Sequence, residues 1–261
     1  MSKESIDSNK LATLREKIYA DYAARTPKSR AAYGRSRLAL AGGVSGSLRF
    51  FPPYPLYMTH GQGSRTCDVD GNEYIDCFLC NGPLLLGHRH PDVLASLREY
   101  ESAGTIIYNP EFMVECAELL KRLVPAAELV RFLDSGSEAV LMAARIARAF
   151  TGRNKVVKFF GHYHGQDDQF LIGRGLSTDI ISAGVPLEAV ANTVVIEFDD
   201  IEVVRQTFDE DDDIAAVILD PAMFAGGLWP ADEGYIKALR QLTAEREIIL
   251  IFDEVITGFR V

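Results

Sequence analysis

The spacing of apolar positions in this chain changes near residue 130. Before that point, Leu11, Leu14 and Ile18 recur every three or four residues, which predicts an amphipathic helix over Asn9–Ala24. Pro55–Cys77 shows β-structure around the hairpin turn Asp70-Gly71, and helices are predicted from Pro91 and over Pro110–Leu123. The polar, basic stretch at residues 26–37 predicts a loop or a lid.

After residue 130, short apolar runs alternate with helical patterns. The predicted strands are Val130–Leu133, Lys155–Phe160, Asn192–Glu197, Ile214–Leu219 and Glu247–Phe252. The predicted helices between them are Glu138–Phe150, Ile201–Phe208 and Glu233–Arg246. This alternation predicts an α/β fold with a mostly parallel, doubly wound sheet. Ligands of such sheets bind outside the carboxyl ends of the strands, so polar residues that directly follow a strand are the candidates for function.

Composition excludes several classes of protein. The chain has 261 residues and a formal net charge of −10, which argues against nucleic acid and acidic membrane surfaces as partners. No apolar run is long enough to span a bilayer, and the polar N-terminus lacks the apolar core of a signal peptide. Four cysteines are too few for a disulfide scaffold, so we expect a cytoplasmic protein with core thiols and without a metal site.

Three short motifs follow predicted strands and carry candidate chemistry. The first is Asp253, which directly follows the apolar run at residues 248–252. A carboxylate there is costly to desolvate unless it meets a positive partner, and a protonated ring nitrogen would be such a partner. The alternative is an acid that caps the next helix or lies on the surface. If the segment stays extended, Val255 points the same way as Asp253 and can pack on a ring, although an ordinary core valine is the alternative.

The second motif is Asp134-Ser135-Gly136-Ser137-Glu138, between a strand and a helix. Unpaired amides at a helix N-terminus favour an anion such as phosphate, and Gly136 permits close approach. A plain serine cap is the alternative.

The third motif is Gly161-His162-Tyr163-His164-Gly165, also directly after a strand. An aromatic ring flanked by two histidines and two glycines can lie against a flat cofactor. Solvent-facing histidines are the alternative. Taken together, a phosphate site, a ring face and a ring-nitrogen partner match one molecule, pyridoxal 5′-phosphate, whose ring acts as an electron sink when its nitrogen is protonated.

From Gly42 to Val261 the chain resembles the class III pyridoxal-phosphate aminotransferases of fold type I, and within them the glutamate-1-semialdehyde 2,1-aminomutases. The stretches that carry the resemblance are DVDGNEYID, GHRHPDV, VRFLDSGSEAVLMAARIARAFTGR, KFFGHYHG, GVPLEAVANT and IFDEVITGFR. The resemblance implies an enzyme that transfers an amino group and cycles its cofactor between pyridoxal and pyridoxamine 5′-phosphate. It also implies a homodimer acting on a small amino acid, amine or carbonyl compound.

Residue by residue, the resemblance implies the following roles. The phosphate-binding turn matches Ser135, Gly136 and Ser137; the aromatic over the ring matches Tyr163, with His164 beside it. Asp253 matches the acid that holds the ring nitrogen, and Val255 the residue under the ring. Arg49 matches an arginine that binds the substrate carboxylate, for which a bidentate guanidinium is suited; an ordinary surface arginine is the alternative.

The resemblance also shows departures. Asp134, Ser137 and Asp220 stand where the family usually has Asn, Thr and Glu, Gln166 and Asp167 follow the Tyr-His-Gly motif, and the segment after Pro221 is bulkier. These changes border the substrate side and leave aminomutase and intermolecular transaminase both open. No lysine occupies the matching position of the Schiff-base lysine, which we expect beyond Val261; the lysines present are Lys3, Lys10, Lys17, Lys28, Lys121, Lys155, Lys158 and Lys237.

Domain organisation follows from the same likeness. Residues 1–90 are predicted to be an N-terminal helix and β-hairpin segment that contributes to the small domain and to dimer contacts. Residues 91–261 are predicted to be an incomplete cofactor-binding large domain, the C-terminal part being missing. Two other functions are considered: a truncated non-catalytic paralogue or partner subunit that binds the cofactor weakly or not at all, and a decarboxylase or epimerase of the same fold.

Overall fold

A computed structural model describes residues 8–102, 104, 108–173 and 182–260. The chain divides into two compact units, Met1–Ile106 and Ile107–Val261, and each is described by itself. The predicted assignment of residues 1–90 to a small-domain segment stays a prediction. Within the described residues, no helix is both long and apolar enough to cross a membrane.

The N-terminal unit begins with two helices, α1 (Ser8–Arg25) and α2 (Pro27–Ser36). The first was predicted; the second contradicts the predicted loop or lid at residues 26–37. Pro27 stands in the first turn, where its missing N–H costs nothing. The amides of Lys28 and Ser29 donate to the carboxylate of Asp70 at 2.7 and 2.9 Å. A distant side chain therefore caps α2, and local sequence contains no sign of that contact.

An antiparallel sheet follows in the same unit, in the order β1 (Met58–Gln62), β2 (Arg65–Asp68) and β3 (Glu73–Ile75). The turn between β2 and β3 contains Asp70-Gly71, and Gly71 has φ +91°, so the predicted hairpin is confirmed. Helix α3 (Pro91–Glu101) begins at the predicted proline.

The C-terminal unit contains a parallel sheet of four described strands, in the order β5-β4-β6-β7. The strands are β4 (Lys155–Phe159), β5 (Thr193–Ile196), β6 (Ile214–Leu219) and β7 (Ile249–Phe252). The helices are α4 (Glu111–Leu123), α5 (Gly136–Thr151), α6 (Leu187–Val190), α7 (Ile201–Glu210) and α8 (Glu233–Glu245). Short 3₁₀ turns in the two units are Ala41–Gly43, Ser47–Arg49, Leu79–Asn81, Asp168–Phe170 and Phe224–Gly226.

Helices cover both faces of this sheet, as the doubly wound prediction requires. On one face, Val157 and Val217 pack with Leu239 of α8. On the other, Val156 and Ala216 pack with Ala144 of α5. Since neighbouring residues of a strand point to opposite faces, strands covered on both sides are continuously apolar, which is why the sequence pattern located them.

The predicted strand Val130–Leu133 is wrong: these residues belong to no strand or helix. A strand needs a hydrogen-bonded neighbour, and no described strand pairs with this segment. Leu129 is 91% exposed and Phe132 is 39% exposed, so the segment is not enclosed by the described core. β7 pairs with β6 alone and forms an edge of the described sheet.

Candidate functional site

Helix α5 presents its N-terminus at one side of the candidate site. Ser135 is the N-cap: its Oγ accepts from the Glu138 amide at 3.2 Å and donates to the Glu138 carboxylate at 2.9 Å. The amides of Gly136 and Ser137 lie in the first turn, where a helix has no internal acceptors. The positive end of the helix dipole therefore offers an anion-binding position, while the serine also serves as the structural cap that was the alternative interpretation.

Two glycines bring the three motifs into contact. A Cβ added to Gly136 would lie 2.8 Å from Cγ1 of Val255. A Cβ added to Gly165, which has φ +93°, would lie 2.6 Å from Oγ of Ser137 and 2.8 Å from its Cα. Because no side chain fits at either position, the turn before α5 packs directly on the segment after β7 and on the loop after β4.

A buried ion-pair geometry joins the first and third motifs. Nδ1 of His164 lies 2.8 Å from Oδ2 of Asp253, and the side chains are 0% and 8% exposed. Burial lowers the pKa of His164, although the hydrogen bond and charge of Asp253 oppose the shift. His164 is therefore neutral near pH 7 and donates its Nδ1–H to the carboxylate. The other oxygen of Asp253 accepts from the amide of Val255 at 3.2 Å.

Tyr163 is half-buried and hydrogen-bonded within its own loop. Its hydroxyl accepts from the side-chain amide of Gln166 at 2.7 Å. The backbone amide of the same glutamine donates to Oγ of Ser137 at 3.0 Å. Gln166, one of the departures from the family pattern, thus connects the tyrosine to the turn at the N-terminus of α5.

Two positions that the sequence analysis left without a role link neighbouring strands. Nδ1 of the buried His162 accepts from the amide of Asp220 at 3.0 Å, which joins the loops after β4 and β6. Burial, with the nearby His164 and Lys158, lowers the pKa of His162 to about 3. The carboxylate of Asp220 then accepts from the amides of Ala222 and Phe224 at 3.0 and 2.8 Å. In the sequence, the turn that Asp220 caps is indicated by an acid followed by a proline at the end of β6.

Val255 and Arg49 have different environments. Val255 is 52% exposed, so it is not the ordinary core valine that was its alternative. Arg49 is exposed in a 3₁₀ turn of the N-terminal unit, and its role in substrate binding stays a prediction.

The cysteines are not core thiols. Cys77, Cys80 and Cys116 are exposed and Cys67 is half-buried, because they fall on loops and partly covered elements and not on the parallel sheet. Across the part of the chain that the structure describes, no group of His, Cys, Asp or Glu has the arrangement of a metal site.

Comparison with known proteins identifies relatives of this arrangement. The family model "Aminotransferase class-III" matches residues 51–260. The glutamate-1-semialdehyde 2,1-aminomutase of Archaeoglobus fulgidus is 44% identical over 239 residues, which are 90% of this chain and 57% of the relative.

Solved structures give the same result. A transaminase with PLP bound has a TM-score of 0.84 at 38% identity, over 88% of this chain and 55% of its own. A glutamate-1-semialdehyde aminomutase from Pseudomonas aeruginosa PAO1 has a TM-score of 0.84 at 26% identity, over 95% of this chain and 56% of its own. The predicted fold type is thereby confirmed, and the chain spans about half the length of the relatives it matches.

Proposed function

Since this chain belongs to the class-III aminotransferase family, we propose that the full-length protein catalyses amino-group transfer that depends on pyridoxal 5′-phosphate. The amino group moves between an amino acid or amine and a carbonyl compound, or within one molecule as in an aminomutase. Its substrates are small molecules, and it acts as a cytoplasmic homodimer. We also propose that residues 1–90 contribute to the small domain and to dimer contacts, and that residues 91–261 are part of the cofactor-binding large domain.

The observation that carries the proposal is the buried His164–Asp253 pair beside the N-terminus of α5. A carboxylate that is 8% exposed and a helix end without internal acceptors fit a ligand with a cationic ring nitrogen and a phosphate. The close approach of Val255 to Gly136 places the two features side by side. When bound, pyridoxal 5′-phosphate supplies an electron sink for the carbon that carries the amino group.

The residues of this chain bind the cofactor and orient its ring. Asp253 holds a proton at the ring nitrogen, and His164 fixes one carboxylate oxygen by donating Nδ1–H. Gly136, Ser135 and Ser137 supply amides and hydroxyls for the phosphate. The faces of the ring belong to Tyr163 and Val255.

Two further groups complete the proposal. Arg49 binds the substrate carboxylate through two parallel hydrogen bonds. The lysine that moves the proton on the substrate is expected beyond Val261.

The test is an absorbance spectrum of the purified full-length protein with added pyridoxal 5′-phosphate, before and after borohydride. We expect a visible band that borohydride converts into a cofactor covalently attached to a lysine. A protein that folds and dimerises yet gives no band would contradict the proposal and would favour the non-catalytic paralogue. A band followed by carbon dioxide release or racemisation, in place of amino transfer, would favour a decarboxylase or an epimerase.

A further inference from the structure

Lys158 is a charged residue in the middle of an apolar strand. It lies in β4 between Val157 and Phe159, and like them it is 0% exposed. Burying an ammonium group is costly unless polar groups replace its hydration shell. The sequence pattern of a buried parallel strand gives no reason for a lysine here, so the structure around its amine is informative.

The amine of Lys158 meets backbone carbonyl groups of the loop that follows β4. Nζ donates to the carbonyl oxygens of His162 at 3.0 Å, Phe170 at 3.3 Å and Ile172 at 2.7 Å. The first of these carbonyls precedes Tyr163 and His164, and the other two lie at the far end of the loop. One side chain thus ties both ends of the loop to the strand from which it starts.

The loop also packs on itself through the groups that Lys158 holds. The ring of His164 meets Phe170 edge-on, with centroids 6.0 Å apart, and His162 lies 5.8 Å from His164. Charged or titratable groups that face His164 are Asp253, Lys158, Asp220 and His162. Three donated hydrogen bonds require three N–H groups, so Nζ of Lys158 is protonated. Its charge opposes protonation of both histidines and supports the neutral form of His164 that donates to Asp253.

We propose that Lys158 is a positioning residue, a buried cation that holds the loop at residues 162–172 so that Tyr163 and His164 face the site. Its action on cofactor binding rests on the proposed function, whereas its action on the loop does not. Charge-assisted hydrogen bonds to carbonyls are stronger than neutral ones, and these three have no water to replace them at a site that is 0% exposed.

The experiment compares Lys158→Met and Lys155→Met in the full-length protein. Lys155 is the matched control because it begins the same strand and pairs with Asp211, away from the loop. Amide hydrogen exchange is measured on the cofactor-free protein. We expect the amides of residues 162–172 in Lys158→Met to exchange at least about tenfold faster than in the control, because opening the loop no longer breaks charge-assisted bonds.

A second measurement follows the cofactor itself. We expect Lys158→Met to bind pyridoxal 5′-phosphate about tenfold more weakly and to change the visible circular dichroism band, which reports the orientation of the ring. A merely structural role would lower the melting temperature and leave that band unchanged. Lys158→Gln keeps a neutral donor, so intermediate effects are expected, and this variant decides the matter if Lys158→Met does not fold.

Each other outcome is decisive. Folded variants with the exchange rates and cofactor affinity of Lys155→Met would overturn the proposal. Failure of both Lys158 variants to fold would also overturn it, because a residue that serves only the loop is not required by the sheet. If even the unmodified protein binds no cofactor, the proposed function fails while the exchange data still decide the role of Lys158.

Discussion

The loop after β4 and the segment after β7 both reach the candidate site, and they are held in opposite ways. In the first, His162, His164 and the anchoring Lys158 are at most 1% exposed. The two histidines have polar partners from distant parts of the chain, and Lys158 donates to carbonyls of the loop itself. In the second, Val255 is 52% exposed and Phe259 is 59% exposed. One wall of the site is preorganised by buried polar contacts, and the other presents apolar surface.

Asp253 is the point where the two walls meet. It follows β7, yet its carboxylate is buried through the contact with His164 of the opposite wall. The comparison shows two roles within this site. Buried polar pairs fix the orientation of side chains, and exposed apolar side chains offer surface for contact with a ligand. Substitutions of the buried polar groups should therefore have the larger effects, with Asp253 first because it belongs to both walls.

The largest effect is expected from Asp253→Asn. The neutral amide keeps the volume but cannot hold a proton at a ring nitrogen, so we expect activity to fall on the order of 100-fold or more, equivalent to roughly 2.7 kcal/mol. Steady-state kinetics and cofactor titration measure this. Glu254→Gln, at the exposed neighbouring acid, is the control. Equal activity of the two variants would show that Asp253 does not hold a proton at the ring nitrogen.

Gly165→Ala should be the next most damaging change. The new methyl group combines a left-handed backbone, which costs about 1–3 kcal/mol, with a close approach to Ser137. Gly152→Ala is matched to it, since Gly152 has φ +71° but open space around the added Cβ. Thermal or urea unfolding of both variants separates the contact from the backbone strain. A loss no greater than that of Gly152→Ala would show that the contact with Ser137 is not tight.

The buried histidines predict a pH dependence of stability. Folded His162 has a pKa of about 3, whereas the unfolded residue gains a proton below about 6.5, so protons bind the unfolded state more. Stability is therefore complete above about 6.5 and falls as the pH is lowered, by up to about 1.4 kcal/mol per pH unit for one histidine. Carboxyl groups with lowered pKa values, such as Asp68 and Asp76, make stability depend on pH only near and below the ordinary aspartate pKa of 3.8.

The measurement is urea unfolding of the cofactor-free protein between pH 6.5 and 4.5. His162→Gln should show a shallower slope than the unmodified protein, because one proton-linked group has been removed. His90→Gln is the control, since that residue is the N-cap of α3 in the N-terminal unit and is not one of the candidate site residues. Identical slopes for His162→Gln and the unmodified protein would contradict the pKa shift.

The smallest effect is expected from Ser135→Ala. Loss of an N-cap costs about 1 kcal/mol, and Asp200→Ala removes an equivalent cap from α7. Both should lower the free energy of unfolding to a similar extent. Only Ser135→Ala should also weaken binding of pyridoxal 5′-phosphate, measured by equilibrium titration. Equal cofactor affinity in both variants would restrict Ser135 to its structural role.

The sheet was predictable because its signal is local. Strands buried on both faces are apolar at successive positions, so β6 was predicted with its observed bounds, and β4 and β7 within two residues. The strand at Val130–Leu133 was wrong because apolar composition does not supply a pairing neighbour. Pairing depends on residues far along the chain, which a local pattern does not contain.

The contact between the candidate motifs was predictable to a similar extent. Motifs that follow predicted strands contain Ser135, His164 and Asp253, and the structure brings these motifs into contact, although the strand predicted before Ser135 is absent from the described residues. The hydrogen bond between His164 and Asp253 spans 89 positions, so no local pattern indicates it. The contacts of Lys158 were not predicted either, because a lysine in an apolar run does not indicate which groups its amine will bind. Local sequence indicates the candidate residues, and tertiary packing decides the protonation and orientation of their side chains.

The contact between Asp70 and α2 has a consequence for the order of folding. The carboxylate that caps this helix belongs to the β2–β3 turn, more than forty positions later in the chain. A ten-residue helix is marginal by itself, so α2 gains its cap only after the hairpin has closed. During synthesis the residues of α2 emerge before Asp70 does, so their cap is not yet available. Helix α2 therefore forms as part of tertiary assembly and does not initiate it.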